Sequence, residues 1–423
     1  MRILLIGSGG REHALAWKIS SSPLCEALFF APGNPGTTAL GTNLNIKADD
    51  FDGLSNACLE HHIGLVIVGP EVPLVNGIRD FFQQRTELKN ILMVGPGKSG
   101  ARLEGSKDFS KSFMQRHNIP TAAAHTFHAD ELNRALTYLN SCSLPIVLKA
   151  DGLAAGKGVI ITSSREEAKS VMTDMLAGGK FGEAGSRVLV EQFLSGIELS
   201  VFVLTDGKNY VLLPEAKDYK RIGNGDTGPN TGGMGAVSPV PFATPSFMEK
   251  IKQKIIEPTI RGLHEEGIDY RGFIFFGLIN VQGEPFVIEY NARMGDPETQ
   301  VVMTRLNADL TELLIATAEG TLGGKSASAS SDFAVTISMV SGGYPGEYLK
   351  GNEIRWNAPA SSLVFHAGTA LKLEKLITDG GRVLSATGRG PDLQTAIRQA
   401  YETASAISWD GVYFRSDIGQ DLL

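Results

Sequence analysis

The sequence predicts a multidomain protein of the α/β and α+β classes, with an N-terminal doubly wound parallel sheet, a mixed central region and a small strand-rich C-terminal domain. Short apolar runs alternate with amphipathic stretches through about residue 100, whereas the apolar runs that follow are joined by short connections. The first pattern is typical of parallel sheets covered by helices, and the second favours antiparallel pairing. A low-complexity segment at residues 323–331 then predicts a linker before the last, strand-rich stretch.

The N-terminal domain is expected to span residues 1–106. Apolar runs that end in glycine or proline predict buried strands at residues 3–6, 27–30, 65–68 and 91–94. A glycine turn at residues 7–10 leads from the first strand into an amphipathic helix that runs to about Ser20. Further glycines mark the domain boundary, before a helix that begins near Lys107.

The central domain is expected to span residues 107–322, and the C-terminal domain residues 323–423. Further strands are predicted at residues 146–149, 158–161, 188–191 and 199–204. Two later apolar runs predict a hairpin closed at residues 280–283. The C-terminal domain is predicted to end in a helix at about residues 393–407.

Length, charge and cysteine content narrow the class of protein. The chain has 423 residues, 42% of them hydrophobic, and exceeds the size at which single cores stop growing. A formal net charge of -7 argues against a general nucleic-acid or anionic-membrane surface, but allows a local basic pocket for a phosphorylated metabolite. Cys25, Cys58 and Cys142 form no disulfide or zinc pattern, and no apolar run approaches the roughly 20 residues that span a bilayer. We therefore expect a cytoplasmic protein without nucleic-acid or membrane partners.

The glycine turn at residues 7–10 is similar to a nucleotide-binding turn, in which small residues let the backbone approach phosphate at a helix N-terminus. A dinucleotide fingerprint requires GxGxxG and an acidic residue after the second strand. Here Glu12 occupies the third glycine position, and the second strand ends at Pro32. Two alternatives remain for the turn, namely an oxidoreductase site and a turn needed only for strand-to-helix packing.

Two segments that contain glycine and lysine lack the spacing of a P-loop. Residues 97–99 have no glycine five positions earlier, and residues 152–158 have a spacer one residue short and no hydroxyl after the lysine. Nevertheless, Lys149 and Asp151 precede a loop made mostly of glycine and alanine that carries Lys157, which predicts a mobile flap with a cation at its tip that closes over ATP phosphates. A plain hairpin turn is the alternative.

The segment after the strand at residues 188–191 has the composition of a nucleoside site. An exposed backbone with Phe193 and Leu194 is suited to an adenine edge, and Glu198 is suited to ribose hydroxyls. Acidic residues after strands are common, so this signal is weak by itself.

A charged run at residues 217–221 leads into a glycine-dense loop at residues 223–235. Mixed charges and backbone N–H groups are suited to a small zwitterion or an anion. A flexible, solvated loop is the alternative.

Glu289, Asn291 and Arg293 occur at spacing two in a predicted strand. Alternate residues of a strand share one face, so these side chains are expected to point together, with Ile288 and Tyr290 packed on the opposite side. Carboxylate and amide oxygens beside a guanidinium indicate Mg²⁺ and a bound phosphate or carboxylate. From this segment alone, a strand with a solvated outer face is an equal alternative.

Five segments, in order along the chain, resemble the phosphoribosylamine-glycine ligase family, the glycinamide ribonucleotide synthetases of purine biosynthesis, which are ATP-grasp enzymes. The segments are residues 7–15, 69–71, 149–159, 225–235 and 289–298. The resemblance continues at residues 341–346 and 413–419 and so spans the whole chain. A stand-alone enzyme is therefore expected, and not the multifunctional fusion.

The resemblance implies a central ATP-grasp fold with a mobile flap subdomain at about residues 121–192. It implies that ATP phosphorylates the carboxylate of glycine. The amine of 5-phosphoribosylamine then displaces phosphate from the glycyl phosphate, and Mg²⁺ or Mn²⁺ serves as the metal. ATP and the metal are thus the expected cofactors, and glycine and phosphoribosylamine the expected substrates.

The resemblance also assigns roles residue by residue. On the ATP side, the resemblance makes Glu289 and Asn291 the metal ligands and Lys107 and Lys149 the phosphate-binding lysines. It makes Lys157 the lysine of the flap. The nucleoside contacts that it implies are Glu191, Phe193, Leu194 and Glu198. On the substrate side, the contacts are Asp218 and Arg293 for glycine, and Gly10, Arg11 and Glu71 for phosphoribosylamine. Lys149, Asp218 and Arg293 are thereby expected to carry the catalysis.

Two positions depart from the family pattern. Tyr219 stands where related sequences usually have histidine, which removes any pH-dependent role at that position. Val237 replaces an expected aromatic residue, which is a change of local packing. A dehydrogenase with nicotinamide bound at residues 7–10 and a non-catalytic nucleotide sensor remain as alternatives, and a monomer is expected.

Overall fold

The N-terminal part of the molecule is a parallel sheet with helices on both faces. The computed structural model describes residues 1–152, 158–177 and 187–423 of the chain. The elements of this part are, in chain order, β1 (Arg2–Gly7), α1 (Gly10–Ser20), β2 (Ala27–Pro32), β3 (Thr42–Asn43), α2 (Phe51–Glu60), β4 (Leu65–Val68), α3 (Glu71–Val75), α4 (Ile78–Gln83), β5 (Leu92–Val94) and α5 (Lys98–Gly105). The strands pair in parallel in the order β3-β2-β1-β4-β5, so the predicted doubly wound sheet is confirmed.

Strand β1, at the centre of this sheet, contributes alternate residues to two different apolar cores. Leu4 and Ile6 belong to one apolar core, and Ile3 and Leu5 belong to a second. All four side chains are fully buried, so β1 has no solvated face. A parallel sheet covered by helices on both sides requires this pattern.

In its described residues, the central part contains two four-stranded antiparallel sheets. Its elements are, in chain order, α6 (Lys107–Arg116), β6 (Ala124–His128), α7 (Leu132–Leu139), β7 (Ile146–Ala150), β8 (Val159–Thr162), α8 (Arg165–Leu176), β9 (Arg187–Gln192), β10 (Ile197–Thr205), β11 (Tyr210–Leu212), β12 (Lys217–Asp218), β13 (Arg221–Gly223), β14 (Thr227–Asn230), β15 (Gly235–Ser238), α9 (Pro245–Ile251), α10 (Glu257–Glu265), β16 (Gly272–Val281), β17 (Glu284–Asn291), α11 (Glu298–Arg305), β18 (Leu306–Asn307) and α12 (Leu310–Glu319). A π-helical segment, Lys252–Ile256, joins α9 to α10. The two sheets have the orders β6-β9-β7-β8 and β11-β10-β16-β17.

Strands β16 and β17 form the predicted hairpin. Gln282 and Gly283 at its turn have positive φ angles of 53° and 86°. A two-residue type I′ turn requires positive φ at both central positions, and its twist matches that of the strands. The turn therefore fixes the register of the strand that carries Glu289 and Asn291.

The sheet β6-β9-β7-β8 occupies the region predicted for the flap. Helices α7 and α8 pack on one of its faces, where Phe127, Leu148 and Met172 are buried together. Because neighbouring residues of a strand point to opposite faces, Lys149 points away from these helices. Lys149 Nζ donates to Ile288 O at 3.4 Å, so the second face is turned toward strand β17.

A third sheet joins the central part to the C-terminal part. The remaining elements are β19 (Ser328–Ala329), β20 (Phe333–Val340), β21 (Arg355–Trp356), β22 (Leu363–His366), β23 (Thr369–Lys372), β24 (Lys375–Thr378), β25 (Arg382–Gly390), α13 (Leu393–Ser405) and β26 (Ile407–Ser408). This sheet has the antiparallel order β12-β15-β20-β25-β22, and α13 packs on it. The strand-rich C-terminal domain is confirmed. Its sheet also includes β12 from the charged run at residues 217–221 and β15, which begins at the last residue of the glycine-dense loop. Within the described residues, no helix is long and apolar enough to cross a membrane.

Candidate active site

Strand β17 carries two of the three polar residues predicted to share one face. The strand ends at Asn291, so Arg293 lies in the turn beyond it. The prediction that Arg293 continues the strand is wrong. Glu289 and Asn291 belong to the strand face, and Arg293 approaches them from the adjoining turn.

A bulge interrupts the alternation of β17. Val287 and Glu289 pair with consecutive residues of β16, which leaves Ile288 unpaired. Val287 and Tyr290 are both buried in the core, whereas Ile288 is only half-buried. The prediction that Ile288 packs beside Tyr290 is therefore wrong, because the extra residue of a bulge shifts the side chains that follow it.

The Glu289 carboxylate lies among cations. Burial raises the pKa of Glu289, but nearby lysines and Arg293 outweigh burial and lower the pKa below its ordinary value. The lysines are, in order of influence, Lys220, Lys149 and Lys107. The carboxylate is consequently ionised at neutral pH, which is the state that a metal ligand requires.

Glu289 and Asn291 fit an Mg²⁺ ion that is also bound to phosphate. In the part of the chain that the structure describes, no group of three or more His, Cys, Asp or Glu side chains is placed to hold a metal. Mg²⁺ is usually held by one or two carboxylates, with substrate phosphates and water completing its octahedron. One carboxylate and one amide oxygen therefore suit a nucleotide-bound Mg²⁺ better than a site made only of protein ligands.

The Glu191 carboxylate joins two buried lysines. It lies 2.8 Å from Lys149 Nζ and 3.3 Å from Lys111 Nζ. Burial raises the pKa of Glu191, but these two cations outweigh burial and lower it. The Glu191 side chain, predicted to contact adenine, is thus bound to the lysines, and the backbone after it is left for an adenine edge.

Helix α6 contributes Lys107 and Lys111 from one face, since residues four apart lie above one another on a helix. Lys107 Nζ donates to Gly152 O at 2.7 Å, and Lys111 Nζ donates to Thr121 Oγ1 at 2.6 Å. Burial lowers the pKa of Lys111 to about 8. The sequence interpretation missed Lys111, although its position one turn after Lys107 was a usable signal. Lys157, predicted for the flap, lies outside the described residues.

The connection from β9 to β10 carries the predicted nucleoside contacts. Phe193 is exposed and Leu194 is half-buried. Lys220 Nζ donates to Glu198 Oε2 at 2.8 Å, which brings the charged run to the same end of the site. The adenine and ribose contacts at these residues stay predictions.

Asp218 and Glu298 form a pair of carboxyl groups beside Ser200. Ser200 Oγ donates to Glu298 Oε1 at 3.2 Å, and Ser200 forms a β-bridge with Ala216, two residues before Asp218. Burial and the charge of Asp218 raise the pKa of Glu298 to about 7. Burial also raises the pKa of Asp218. An ammonium group would relieve the repulsion between the two carboxyl groups, so the pair suits the amino end of glycine. Sequence interpretation missed Glu298, although Glu298 is the last residue of the segment at residues 289–298.

Two carboxylates of the N-terminal domain hold Arg293. Its Nη2 lies 2.9 Å from Glu104 Oε1, and its Nε lies 3.4 Å from Glu71 Oε2. Glu104 also accepts a hydrogen bond from Ala292 N at 2.8 Å, so it fixes the turn after β17. The structure thereby brings the predicted substrate residues Arg293 and Glu71 together. Glu104 was missed because no sequence motif contains it.

Glu12 fills the glycine turn between β1 and α1. Gly9 N donates to Glu12 Oε2 at 2.7 Å, and Arg11 Nε donates to Glu12 Oε1 at 2.6 Å. A Cβ on Gly7 would lie 2.6 Å from Glu12 Cγ, and one on Gly69 would collide with the same side chain. The glycines leave space for the Glu12 carboxylate. This carboxylate occupies the position that a pyrophosphate would take, and its negative charge would repel a pyrophosphate. The dehydrogenase interpretation of this turn is therefore disfavoured.

The turn also meets the segment that follows β17. Arg11 Nη1 donates to Met294 O at 3.3 Å. Gly10, the first residue of α1, is buried, and a Cβ there would lie 2.6 Å from Gln300 Nε2. Gly10 and Arg11 thus line the same junction as Arg293 and Glu71, and their contact with phosphoribosylamine stays a prediction.

The first half of the glycine-dense loop is bound to the C-terminal segment. Asn224 Nδ2 donates to Ser416 Oγ at 2.6 Å, and Gly225 N donates to Asp417 Oδ2 at 2.7 Å. Arg415, only 1% exposed, donates to Asp226 Oδ1 at 2.7 Å. The interpretation that this half supplies free groups for a zwitterion or an anion is wrong, because those groups bind residues 415–417.

Tyr219 points to the opposite side of its strand from Asp218, as neighbouring strand residues do. Its hydroxyl donates to Asp421 Oδ1 and accepts a hydrogen bond from Gly419 N at 3.0 Å. Tyr219 therefore anchors strand β12 to the C-terminal segment and does not face the proposed glycine site.

Comparison with known proteins covers nearly the whole chain. Residues 1–104 match the N domain, residues 105–299 the ATP-grasp (A) domain and residues 334–421 the C domain of phosphoribosylglycinamide synthetase. The phosphoribosylamine–glycine ligase of Yersinia pestis is 46% identical over 427 residues, covering 99% of this chain and 98% of that protein. That of Pseudomonas aeruginosa is 47% identical over 425 residues, covering 99% and 97%.

Solved structures have the same architecture. The crystal structure of phosphoribosylamine–glycine ligase from Thermotoga maritima has a TM-score of 0.85 and 36% identity, covering 99% of this chain and 100% of that chain. The biotin carboxylase domain of Hydrogenobacter thermophilus 2-oxoglutarate carboxylase, at 18% identity and a TM-score of 0.74, covers 97% of this chain and 91% of that chain and shares the fold alone. The central domain is an ATP-grasp fold, and the chain belongs to the phosphoribosylglycinamide synthetase family.

Proposed function

We propose that the protein ligates glycine to 5-phosphoribosylamine in purine biosynthesis, with conversion of ATP to ADP and phosphate, and releases glycinamide ribonucleotide. The carrying observation is that the ionised Glu289 carboxylate lies among three lysines, beside an arginine fixed by Glu104. Relatives 46% and 47% identical to nearly the whole chain are named for this activity. The enzyme acts as a monomer in the cytoplasm.

The ATP side of the site consists of Lys107, Lys111 and Lys149 together with the face of strand β17 that carries Glu289 and Asn291. ATP places its phosphates at Lys107 and Lys149 and its base at the connection from β9 to β10. Glu289 and Asn291 would hold Mg²⁺ or Mn²⁺, which would supply positive charge to neutralise the phosphates. The lysines supply the remaining positive charge, which phosphoryl transfer needs because charge spreads over the transferred oxygens.

Glycine binds between Arg293 and the carboxyl pair. The guanidinium presents parallel N–H donors to the glycine carboxylate, and Asp218 with Glu298 accepts the ammonium group. The Arg293 contact with Glu71, at 3.4 Å, is longer than that with Glu104, at 2.9 Å. The substrate carboxylate therefore replaces Glu71 at the arginine, while Glu104 keeps the arginine in place.

The reaction has two steps. A glycine carboxylate oxygen attacks the γ-phosphorus of ATP, and the bond to the ADP oxygen breaks, which yields glycyl phosphate. The amine nitrogen of phosphoribosylamine then attacks the carbonyl carbon. A C–N bond forms, the C–O bond breaks, phosphate leaves with the electron pair, and the proton lost by the amine nitrogen passes to the released phosphate. Burial raises the pKa of Glu71, but Arg293 and Arg11 outweigh burial and lower it, so ionised Glu71 accepts a hydrogen bond from the attacking amine.

The decisive experiment measures ADP and phosphate formation while ATP, Mg²⁺, glycine and phosphoribosylamine are omitted one at a time. The ligase forms ADP in quantity only with all four present. A nucleotide sensor would bind ATP without turnover, and a dehydrogenase would bind a nicotinamide dinucleotide instead. Absence of turnover with freshly prepared phosphoribosylamine contradicts the proposal.

A further inference from the structure

We infer that Asp296 binds the vicinal hydroxyl groups of the ribose of phosphoribosylamine, and that Arg382 of the C-terminal domain is the positioning residue that holds Asp296 for this contact. The inference rests on the proposed function and assigns the pentose of that substrate to the junction of three domains. Neither residue is among the site residues predicted from the sequence.

Two donors from different elements fix the Asp296 carboxylate. Gln300 Nε2 on α11 donates to Oδ1 at 2.9 Å, and Arg382 Nη2 on β25 donates to Oδ2 at 3.1 Å. Arg382 Nη1 also donates to Asp296 O at 2.6 Å and to Gly232 O at 2.5 Å. One guanidinium thus ties the carboxylate, its own backbone and the glycine-dense loop together, so the carboxylate has a fixed direction.

With respect to the described residues, the Asp296 carboxylate retains acceptor capacity on both oxygens. An ionised carboxylate has about four acceptor positions, and Gln300 and Arg382 use one on each oxygen. Burial raises the pKa of Asp296, but Arg382 and Arg11 outweigh burial and lower it, so the group is ionised at neutral pH. Its side chain is 18% exposed and can be reached from solvent. One remaining acceptor per oxygen matches two hydroxyls on adjacent carbons.

Asp296 faces the glycine turn of the N-terminal domain. Its Oδ2 lies 3.5 Å from the position of a Cβ on Gly9, and its Oδ1 lies 3.7 Å from that of a Cβ on Gly10. A side chain at either position would cover the carboxylate edge, and one on Gly10 would also displace the Gln300 amide. The two glycines thereby leave the carboxylate open beside Arg11, which is proposed for the same substrate.

The test titrates the full-length protein with ribose 5-phosphate and with 2-deoxyribose 5-phosphate, which are stable stand-ins without the amine. The wild-type protein should bind the ribose compound about tenfold more tightly, the value of one hydrogen bond to a charged group. Asp296→Asn and Arg382→Ala should reduce this preference to less than about threefold and leave ATP binding unchanged. Arg382→Lys should restore part of the preference, because it retains the charge but not the fork.

A control variant lies on the same strand. Arg389→Ala on β25 removes an ion pair with Asp332 at 2.8 Å and should keep the wild-type preference. If Arg382→Ala does not fold, Asp296→Asn decides the matter, because it preserves the shape of the side chain.

The outcomes separate this inference from the proposed function. Asp296→Asn should also raise the KM for phosphoribosylamine about tenfold without changing the KM for ATP or glycine. Equal wild-type affinity for the two sugars, or an unchanged preference in Asp296→Asn, overturns the ribose assignment even when the enzyme turns over. A wild-type enzyme that does not consume phosphoribosylamine overturns the proposed function itself.

Discussion

The proposed ATP side and the proposed amine side of the site contain different cations, in different surroundings. On the ATP side, Lys149 and Lys111 contact the Glu191 carboxylate, and Lys107 lies one turn before Lys111 on the same helix. On the amine side, Arg11, Arg293 and Arg382 are each bound by a carboxylate. Lysine is a compact charge on a flexible stem, whereas arginine is a rigid fork that fixes direction. The contrast indicates charge neutralisation for phosphates on one side and orientation of carboxylates on the other.

The largest expected effect tests whether the lysines neutralise the charge of the ATP phosphates. Lys149→Met removes a buried cation that approaches both Glu191 and β17, so kcat should fall about 10²–10³-fold, as when a transition-state donor is removed. Steady-state turnover at saturating substrates measures it. Lys375→Met, which removes an exposed ion pair with Glu353 at 2.8 Å, should have no effect. Near-normal kcat in Lys149→Met would move neutralisation to other groups.

The second effect concerns the metal. Glu289→Gln should keep the fold, as measured by circular dichroism, and should raise the Mg²⁺ concentration for half-maximal activity about 10–100-fold. Asn291→Ala should shift the Mg²⁺ dependence in the same direction, because it removes the second oxygen donor. Wild-type activity of either variant at low Mg²⁺ would remove β17 from the metal site.

A third, smaller effect tests orientation. Arg293→Lys keeps the charge and loses the fork, so the KM for glycine should rise about tenfold while the KM for ATP changes little. Glu104→Gln is the matched change behind the arginine and should raise the KM for glycine by less. An unchanged glycine dependence in Arg293→Lys would place the carboxylate site elsewhere.

The fourth effect is on stability and has a defined pH window. The folded-state pKa of Glu298 is about 7, above its ordinary 4.5, so its proton stabilises the fold at low pH, and this stabilisation is lost as pH rises from about 4.5 through 7. Glu298→Gln should therefore gain about 1–3 kcal/mol relative to wild type at pH 8 and little at pH 4. Urea unfolding at both pH values measures it, with exposed Glu319→Gln as control. An equal gain at both pH values would contradict the carboxyl pair.

The smallest effect concerns Tyr219, on the side of strand β12 that faces away from the proposed glycine site. Tyr219→Phe removes the hydroxyl bound by Asp421 and Gly419, and should cost about 1 kcal/mol of unfolding free energy. The KM for glycine should not change. A raised KM for glycine would show that Tyr219 contributes to the orienting side.

The fold was largely predictable because its strands are short, apolar and punctuated by glycine or proline. The N-terminal sheet and the β16–β17 hairpin follow from such local signals. The bulge at Ile288 does not, because it depends on how two strands register in three dimensions. The side of the strand was therefore assigned correctly for Glu289, Asn291 and the buried Tyr290, but not for Ile288.

Glu104 and Arg382, two of the missed residues, act through contacts between distant parts of the chain. Glu104 binds the backbone of Ala292, 188 positions away, and Arg382 binds Asp296, 86 positions away. Spacing rules cannot detect such pairs, since they describe neighbours within one element. Lys111 is the exception, because its spacing from Lys107 was visible.

Glu12 has a consequence for nucleotide binding at the N-terminal turn. The side chain is tethered three residues from the backbone N–H that it binds, so its effective concentration there is millimolar or higher, roughly that of groups joined by short linkers. A free dinucleotide would have to compete with an anion that never diffuses away. The turn is thus occupied by the Glu12 side chain, and glycine is required at the positions around it because a Cβ there would collide with this side chain.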